Sequence, residues 1–397
     1  AVAEAASGDK ALTEFYRARG YKPLWTSKSD TRRRKALLQA LNNADTHGLP
    51  TARYKTDELR SVFKGAKSPR QLGFAEVRAS KVFLQYAQDV QSGAIVPSRV
   101  DAGIARALPR RDRTQQLVAF SKSSPSGFIK KLPPQTGGYT RLLKAKLELE
   151  KTLAKGGWGQ KVPGGKLEPG ASGNRVVALR NRLTRMGYMR RSPSAIYDAK
   201  LQKAVQQFQI DNGLSADGVA GKGTLAEINK EPADRLKSVI VGLERERYMN
   251  RSLGKRRIMV NIPDFHARVI EGNREVFRTR VVVGKNTHDR RTPEFSDEME
   301  HLVINPTWNV PRSIATKEYL PKFQNNPNAH GYLRLIDSRG RVVSRDAVDF
   351  TQYTAANFPF DIKQPPSNRN ALGLVKFMFP NRHNIYLHDT PQKSLFG

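Results

Sequence analysis

Cysteine is absent from the 397-residue chain. That excludes disulfides, thiolate-bound metals and a cysteine nucleophile among these residues. It leaves the compartment open, because exported proteins also do without disulfides. No apolar run approaches the roughly 18 residues that a membrane-spanning helix needs. Acidic residues are scarce, 36 against 69 Lys and Arg, and the formal net charge is +33. A balance this basic favours polyanions: nucleic acid, anionic lipid, or a wall polymer rich in carboxylates. The basic runs at 32–35, 110–113 and 255–257 are short and far apart, so most of the charge reads as solvated surface. No zinc-finger or RNA-recognition signature supports a nucleic-acid partner. Phosphate-cradling glycine loops, HExxH and GxSxG are all lacking. The histidines other than His388 (His47, His266, His288, His301, His330, His383) show no ligand spacing, so no metal and no cofactor are expected.

What is present begins with helices. Leu12, Phe15 and Tyr16 form an i, i+3, i+4 stripe, Leu37, Leu38 and Leu41 a second, and Phe83, Tyr86, Ala87 and Val90 a third. Such stripes read as core packing. The stretch Gly20 to Trp25 breaks the first helix and Gly48 to Pro50 the second. His47, beside that glycine, reads as a local cap. The glycine-rich stretch 155–165 is the clearest linker. After it, 172–230 shows a three-helix pattern: Val176, Leu179, Leu183 and Met186, then Leu201, Val205 and Phe208, then a helix from Thr224. Residues 232–251 are helical again, with Leu236, Ile240, Leu243 and Tyr248 on a stripe.

From 254 onward the period changes to two. Ile258 to Ile262, Val269–Ile270 and Val276 to Val283 read as strands, the last two joined by a turn at 271–274. His301 to Ile304 is another strand, and the set suggests a sandwich or barrel-like sheet. Regular strands thin out between Val310 and Leu372, where a short helix near 314–323 and a hairpin across 337–340 stand out. An insertion of that length in a sheet domain is often an active-site lid. The stretch 373–390 reads as two strands about a turn at Pro380–Asn381, with Ile385 and Leu387 in the second. His388 would then stand at a strand end, where a sheet can aim an imidazole into a cleft. An isolated histidine is by itself more often structural or merely exposed than catalytic.

Five pieces, Val281 to Gly284, Thr292 to Ser296, Asn305 to Pro311, Asn370 to Phe377 and Tyr386 to Thr390, resemble the YkuD-type catalytic domain of the large, lid-containing periplasmic L,D-transpeptidases. The stretches at 15–25, 47–50 and 133–139 look like the helical scaffold of the same enzymes. Leu179 to Leu183, Gly187–Tyr188, Val205 to Phe208, Gly213–Leu214 and Asp217 to Thr224 resemble peptidoglycan-binding domain 1.

The resemblance implies an α+β multidomain chain. A helical scaffold over 1–160 would be completed by 232–253, with a peptidoglycan-binding-like module over 161–231. A mostly β transpeptidase-like sandwich over 254–397 would carry a lid at about 310–372. The implied activity is transfer of a peptidoglycan tetrapeptide stem through a cysteine thioester, giving 3–3 cross-links. His388 would serve as catalytic base, Trp308 and Tyr386 would line the cleft, and Asp389–Thr390 would orient the imidazole or cap its turn. Asn305 and Trp308 also fit turn chemistry and core filling. The Ser-x-Gly-Cys-x-Arg type motif that carries the family's nucleophile is expected beyond Gly397, so these residues alone are expected to be inactive. The implied partners are stem peptides, glycan and other envelope proteins, in the periplasm. The small residues at 1–3 fit a removed export leader. The rival readings are an inactive wall-binding scaffold and, more distantly, a basic nucleic-acid-binding protein.

Overall fold

The computed structural model describes residues 1–272, 274–287 and 290–396. Asn273 of the expected turn, His288 and Gly397 lie outside the described residues. The chain forms two compact units, Ala1–Val100 with Ala107–Leu253, and Asp101–Arg106 with Gly254–Gly397.

The first unit is helical. Leu12, Phe15 and Tyr16 are buried along Lys10–Ala18, Leu37 and Leu41 along Thr31–Asn42, and Phe83, Tyr86, Ala87 and Val90 along Pro69–Ser92. All join one core with Trp25, Leu117 and Phe120. The helix Pro69–Ser92 starts cleanly because Ser68 Oγ accepts from Gln71 N–H at 3.2 Å while Gln71 Oε1 accepts from Ser68 N–H at 3.0 Å. This reciprocal cap satisfies two end donors, and Pro69 at the first position sacrifices none.

The same helix carries a fully buried carboxylate, Glu76. It accepts from Leu24 N–H at 2.6 Å, Trp25 N–H at 3.0 Å, Thr26 N–H and Oγ1–H at 2.9 Å, and Tyr16 O–H at 2.8 Å. The loop that breaks the first helix is therefore ordered by one side chain some fifty residues away, which satisfies backbone donors that would otherwise be orphaned.

The helix Pro232–Tyr248 packs along Gly137–Ala154. Arg247 Nη1 donates to His47 O at 2.6 Å, and Glu244 Oε1 accepts from Ala94 and Ile95 N–H at 2.7 and 3.0 Å. His47 itself departs from expectation. Its Nδ1 lies 3.1 Å from the Tyr139 hydroxyl rather than on its own turn. The turn is ended by Gly48, at φ 69°, a left-handed geometry that glycine adopts without strain. Burial, then the Arg247 and Lys146 cations, pushes the His47 imidazole down to about 4.

Helices Asn174–Arg185, Ala199–Asp211 and Lys222–Ile228 enclose a core of their own around Leu179, Val205, Phe208 and Leu225. Buried Gln209 pins the Asp217–Gly218 turn by donating to Asp217 Oδ1 at 2.7 Å and accepting from Gly218 N–H at 2.9 Å. Arg182 donates to Gly159 O at 2.8 Å, Ile228 O at 2.8 Å and Lys230 O at 3.1 Å. One guanidinium thus joins both ends of the module.

Among the described residues, the second unit holds nine short strands: β1 Arg256–Asn261, β2 His266–Glu271, β3 Arg274–Arg280, β4 His301–Ile304, β5 Trp308–Asn309, β6 Arg334–Ile336, β7 Val342–Val343, β8 Asp361–Gln364 and β9 Val375–Met378. They form three small antiparallel sheets, β1-β2-β3, β4-β9 and β5-β8-β6-β7. The expected run 276–283 ends as strand at Arg280. The expected strand at 385–387 does not form; only Leu387 is bridged, to Phe377. Asn381 explains this. Its side chain donates to Phe379 O at 2.8 Å and Ile385 O at 2.6 Å, and accepts from His383 N–H at 2.9 Å. Those backbone groups are spent on a wide turn and cannot extend the ladder.

The stretch 310–372 is a packed body rather than a loose loop. Val310, Phe323, Leu335, Phe350, Phe358 and Ile362 form its core. Its helical segment runs through Arg312–Ile314, a π turn Ala315–Tyr319 and Leu320–Asn325. Arg345 stacks 4.7 Å from the Phe323 ring and donates to His330 O and Leu333 O, both at 2.8 Å. Among the described residues, no helix is long and apolar enough to cross a membrane.

Candidate active site

His388 follows the Leu387 bridge, so β9 fixes the segment that carries it: Phe377 N–H donates to Leu387 O at 2.9 Å. The side chain is exposed, and its Nδ1 lies 2.6 Å from Asp389 O. A backbone carbonyl can only accept, so this contact requires the proton on Nδ1. The lone pair is then on Nε2, the tautomer a proton acceptor needs.

The neighbouring groups hold that arrangement. Asp389 Oδ1 accepts from Thr390 N–H at 2.8 Å, and Oδ2 pairs with the Lys393 ammonium. Lys393 holds the Asp389 carboxyl below the usual carboxylate range, with Thr390 N–H adding to the effect. The Asp389 carboxylate therefore caps the turn, while its main-chain carbonyl meets the imidazole. Thr390 Oγ1 accepts from Gln392 N–H at 3.3 Å.

Behind this turn runs 370–374. Asp389 N–H donates to Leu372 O at 3.3 Å. Gly373 sits at φ 70°, and a Cβ built there would stand 2.4 Å from Asp389 Cβ. Both the backbone geometry and the close approach require glycine. Asn370, 3% exposed, donates through Nδ2 to Pro306 O at 3.1 Å, Gln364 O at 3.2 Å and Pro365 O at 3.0 Å. Its Oδ1 accepts from Leu372 N–H at 2.8 Å. This amide joins the start of the inserted body, its exit, and the segment behind His388.

The remaining candidates are distributed differently. Asn305 is an exposed turn residue at φ 51°, a left-handed conformation Asn tolerates, and its N–H donates to Leu374 O at 2.8 Å. Trp308 lies in β5, on a different sheet from β9, with its ring 6.3 Å from Tyr319. It opens a half-exposed aromatic surface: Tyr319 stands edge-on to His330 at 5.2 Å, and His330 Nδ1 lies 3.0 Å from the Tyr332 hydroxyl. Burial, then neighbouring Tyr332, pushes the Tyr319 phenol up to about 12. Tyr386 does not alternate with His388 along a strand, since none forms there. Its ring lies tilted against Phe379 at 5.6 Å and carries the Lys376 ammonium at 4.1 Å. His388, Asp389 and Thr390 thus form one turn, Asn305 is tied to the segment behind it, and Trp308 belongs to the inserted body.

Sequence reading passed over three positioning residues: Asn370, Gly373 and Gln364, whose buried side chain accepts from Ala371 N–H at 3.0 Å. Asn370 and Gly373 lay inside a motif already singled out, but a buried amide's targets are carbonyls remote in sequence and leave no periodic signal. It also passed over residues 101–106. Ile104 bridges Glu294, and Arg106 pairs with Glu294 at 2.7 Å and reaches Phe295 O at 3.2 Å. This tether holds the Thr292–Ser296 stretch, whose Phe295 ring lies 5.2 Å from His383 and 6.3 Å from Phe379.

Comparison with known proteins places three family models on the chain. One described as "Scaffold domain" covers residues 10–147, "Putative peptidoglycan binding domain" covers 172–228, and "L,D-transpeptidase catalytic domain" covers 255–397. A Haemophilus influenzae protein named "Putative L,D-transpeptidase" is 35% identical over 143 residues. That match takes in 35% of this chain and 28% of the relative's length.

Proposed function

We propose that this chain, which carries an L,D-transpeptidase catalytic domain with a scaffold domain and a peptidoglycan-binding domain, serves an enzyme that forms 3–3 cross-links in peptidoglycan. Its place of work is the cell envelope, on the periplasmic side, and its substrates are tetrapeptide stems. The chain has no cysteine. The reading therefore takes the nucleophilic thiolate from outside residues 1–397.

His388 Nε2 takes the proton of the thiol, and the resulting thiolate attacks the carbonyl between the third stem residue and the terminal D-alanine. The C–N bond breaks, and the departing amine takes its proton from the His388 imidazolium. An acceptor-stem amine then attacks the thioester, loses a proton to His388 Nε2 and expels the thiolate. The aromatic surface from Trp308 to Tyr332 walls the donor stem and limits water, which would otherwise hydrolyse the thioester. Asn305, Tyr386, Asp389 and Thr390 shape and hold this cleft. The observation that carries the reading is the Nδ1 contact to Asp389 O, which leaves Nε2 as acceptor on a turn buttressed by Gly373.

The absence of cysteine specifically favours a second reading, a non-catalytic wall-binding scaffold. One assay separates them: release of D-alanine and formation of dimeric stems from disaccharide-tetrapeptides, followed by mass spectrometry. Residues 1–397 alone should release nothing. The chain continued through a Ser-x-Gly-Cys segment should release D-alanine, and His388→Gln in that background should slow release by about 10²–10⁴-fold. Undiminished turnover in the His388 variant would sink the base assignment, and inactivity of the extended chain would leave the scaffold reading.

A further inference from the structure

The helix Thr31–Asn42 begins with the densest basic run in the first unit, and the catalytic reading makes no use of it. One face of this helix lines an open groove of about 620 Å³. Arg34, Lys35, Leu38, Gln39 and Asn42 come from it, Asn43 directly follows its last residue, and Arg60 comes from the neighbouring helix Thr56–Gly65. No acidic side chain is among the lining residues.

The groups differ in how they are held. Arg34 is fixed in place: Nη1 donates to Ser27 O at 2.9 Å, Nη2 to Thr31 Oγ1 at 2.9 Å, and the guanidinium lies 5.9 Å from the Phe63 ring. Arg60 pairs with exposed Asp57 at 2.7 Å. An exposed pair of this kind is worth little and yields readily to a competing anion. Lys35 and the side-chain amides of Gln39, Asn42 and Asn43 are exposed and make no hydrogen bond among the described residues.

Most of the groove surface is apolar, from Leu38 and the stems of the long side chains, and its polar groups are of two kinds. Cations crowd the first half of the helix, while neutral amides occupy its last turn. The carbonyls of that last turn carry the negative end of the helix dipole, which repels anions. A phosphodiester backbone spreads its charge evenly and would meet this repulsion along the last turn. A ligand with carboxylates towards one end and amides along the rest meets none.

The length also selects. From Thr31 to Asn42 is eleven residues of rise, roughly 16 Å. An extended peptide covers that span in about five residues. We propose that this groove is a second binding site for a short, extended, carboxylate-bearing peptide, separate from the candidate active site. Identifying that peptide as a peptidoglycan stem rests on the function proposed above. The scaffold would then hold a strand of wall polymer while another stem reacts.

The test uses a fluorescein-labelled stem tetrapeptide and the same peptide with its carboxylates amidated. Carbodiimide treatment of the whole chain with the free-acid peptide should join a peptide carboxylate to the Lys35 amine, located by peptide mass mapping. The double variant Lys35→Glu/Arg60→Glu changes only exposed side chains and should keep the native circular dichroism. It should lose the coupling at this groove and bind the peptide at least tenfold more weakly by anisotropy. Amidation should weaken binding to the native chain similarly, and Asn42→Ala should weaken both peptides. Absence of coupling at Lys35, or equal affinity in the folded double variant, overturns the proposal. So does displacement of the peptide by a short DNA duplex at physiological salt. If the chain continued through a Ser-x-Gly-Cys segment releases D-alanine while coupling at Lys35 fails, only the groove is refuted. If coupling succeeds while that extended chain releases no D-alanine, only the catalytic reading is refuted.

Discussion

Replacing Glu76 by Gln tests whether a buried carboxylate holds the scaffold core together. Glu76 has no exposed surface, and its two oxygens accept from three backbone N–H groups and two hydroxyls. Gln preserves shape and keeps one acceptor oxygen. With that oxygen facing Leu24 and Tyr16, its NH₂ is aimed at the N–H groups of Trp25 and Thr26. Each buried donor left unsatisfied costs about 1–3 kcal/mol, so the substitution should remove about 2–5 kcal/mol. That is a sizeable share of a typical domain's stability, about 5–15 kcal/mol.

The opposing effect is relief from burying a charge, which in some proteins makes neutral replacements harmless. Here the donors stay behind when the charge leaves, so the loss should dominate. Guanidinium unfolding followed by Trp25 emission, in a background where Trp158 and Trp308 are Phe, reads the core directly because Trp25 stacks on Phe120 at 5.2 Å. A loss under about 1 kcal/mol, or a gain, would refute the reasoning, because it is smaller than the cost of even one orphaned donor.

Three further predictions concern other parts of the chain. His47 titrates near 6.5 when unfolded and about 4 when folded, so folding favours its neutral form. Its contribution is fully present above pH 6.5 and is lost as pH falls from 6.5 towards 4. The total is about 3 kcal/mol, and His47→Gln should flatten that part of the stability–pH curve. An unchanged slope would show that His47 is not the titrating group. Gly373→Ala should cost about 1–2 kcal/mol from the left-handed backbone alone. It should also push the 388–390 turn away, and faster amide exchange at Asp389 would register this. Unchanged exchange there would disprove the close approach. Asn370→Ala should lower stability by about 2–4 kcal/mol through carbonyls and an N–H left unpaired. Asn370→Asp should do at least as much harm at neutral pH, since a carboxylate would face three carbonyl oxygens. Urea midpoints of the two variants decide the matter, and an Asp variant close to the native chain would refute the assigned donor pattern.

Periodicity revealed the helices of the first unit because burying one face of a helix writes a 3.6-residue repeat into the sequence. The stripes at Leu12, Leu37 and Phe83 and the repeat around Val205 all found their cores. β4 was legible to the residue, and the 337–340 hairpin stands where its turn residues pointed. His388, Asp389 and Thr390 were legible as a group because they are neighbours in sequence. The supposed strand at 385–387 failed because alternation records facing, whereas Asn381 had already claimed the backbone partners a ladder needs. His47 failed for a related reason: its partner, Tyr139, is 92 residues away.

Composition and local pattern by themselves determined the helical scaffold, the three-helix module, the change to short strands and the lack of a thiol. These are properties of neighbouring residues, and neighbours are what a sequence displays. Tertiary structure alone decided that residues 101–106 hold Glu294, that Asn370 joins the inserted body to the segment behind His388, and which imidazole nitrogen carries the proton. Each depends on a hydrogen bond or ion pair whose two ends meet only once the chain has folded. Such bonds act over about 3 Å in space and leave no period along the chain.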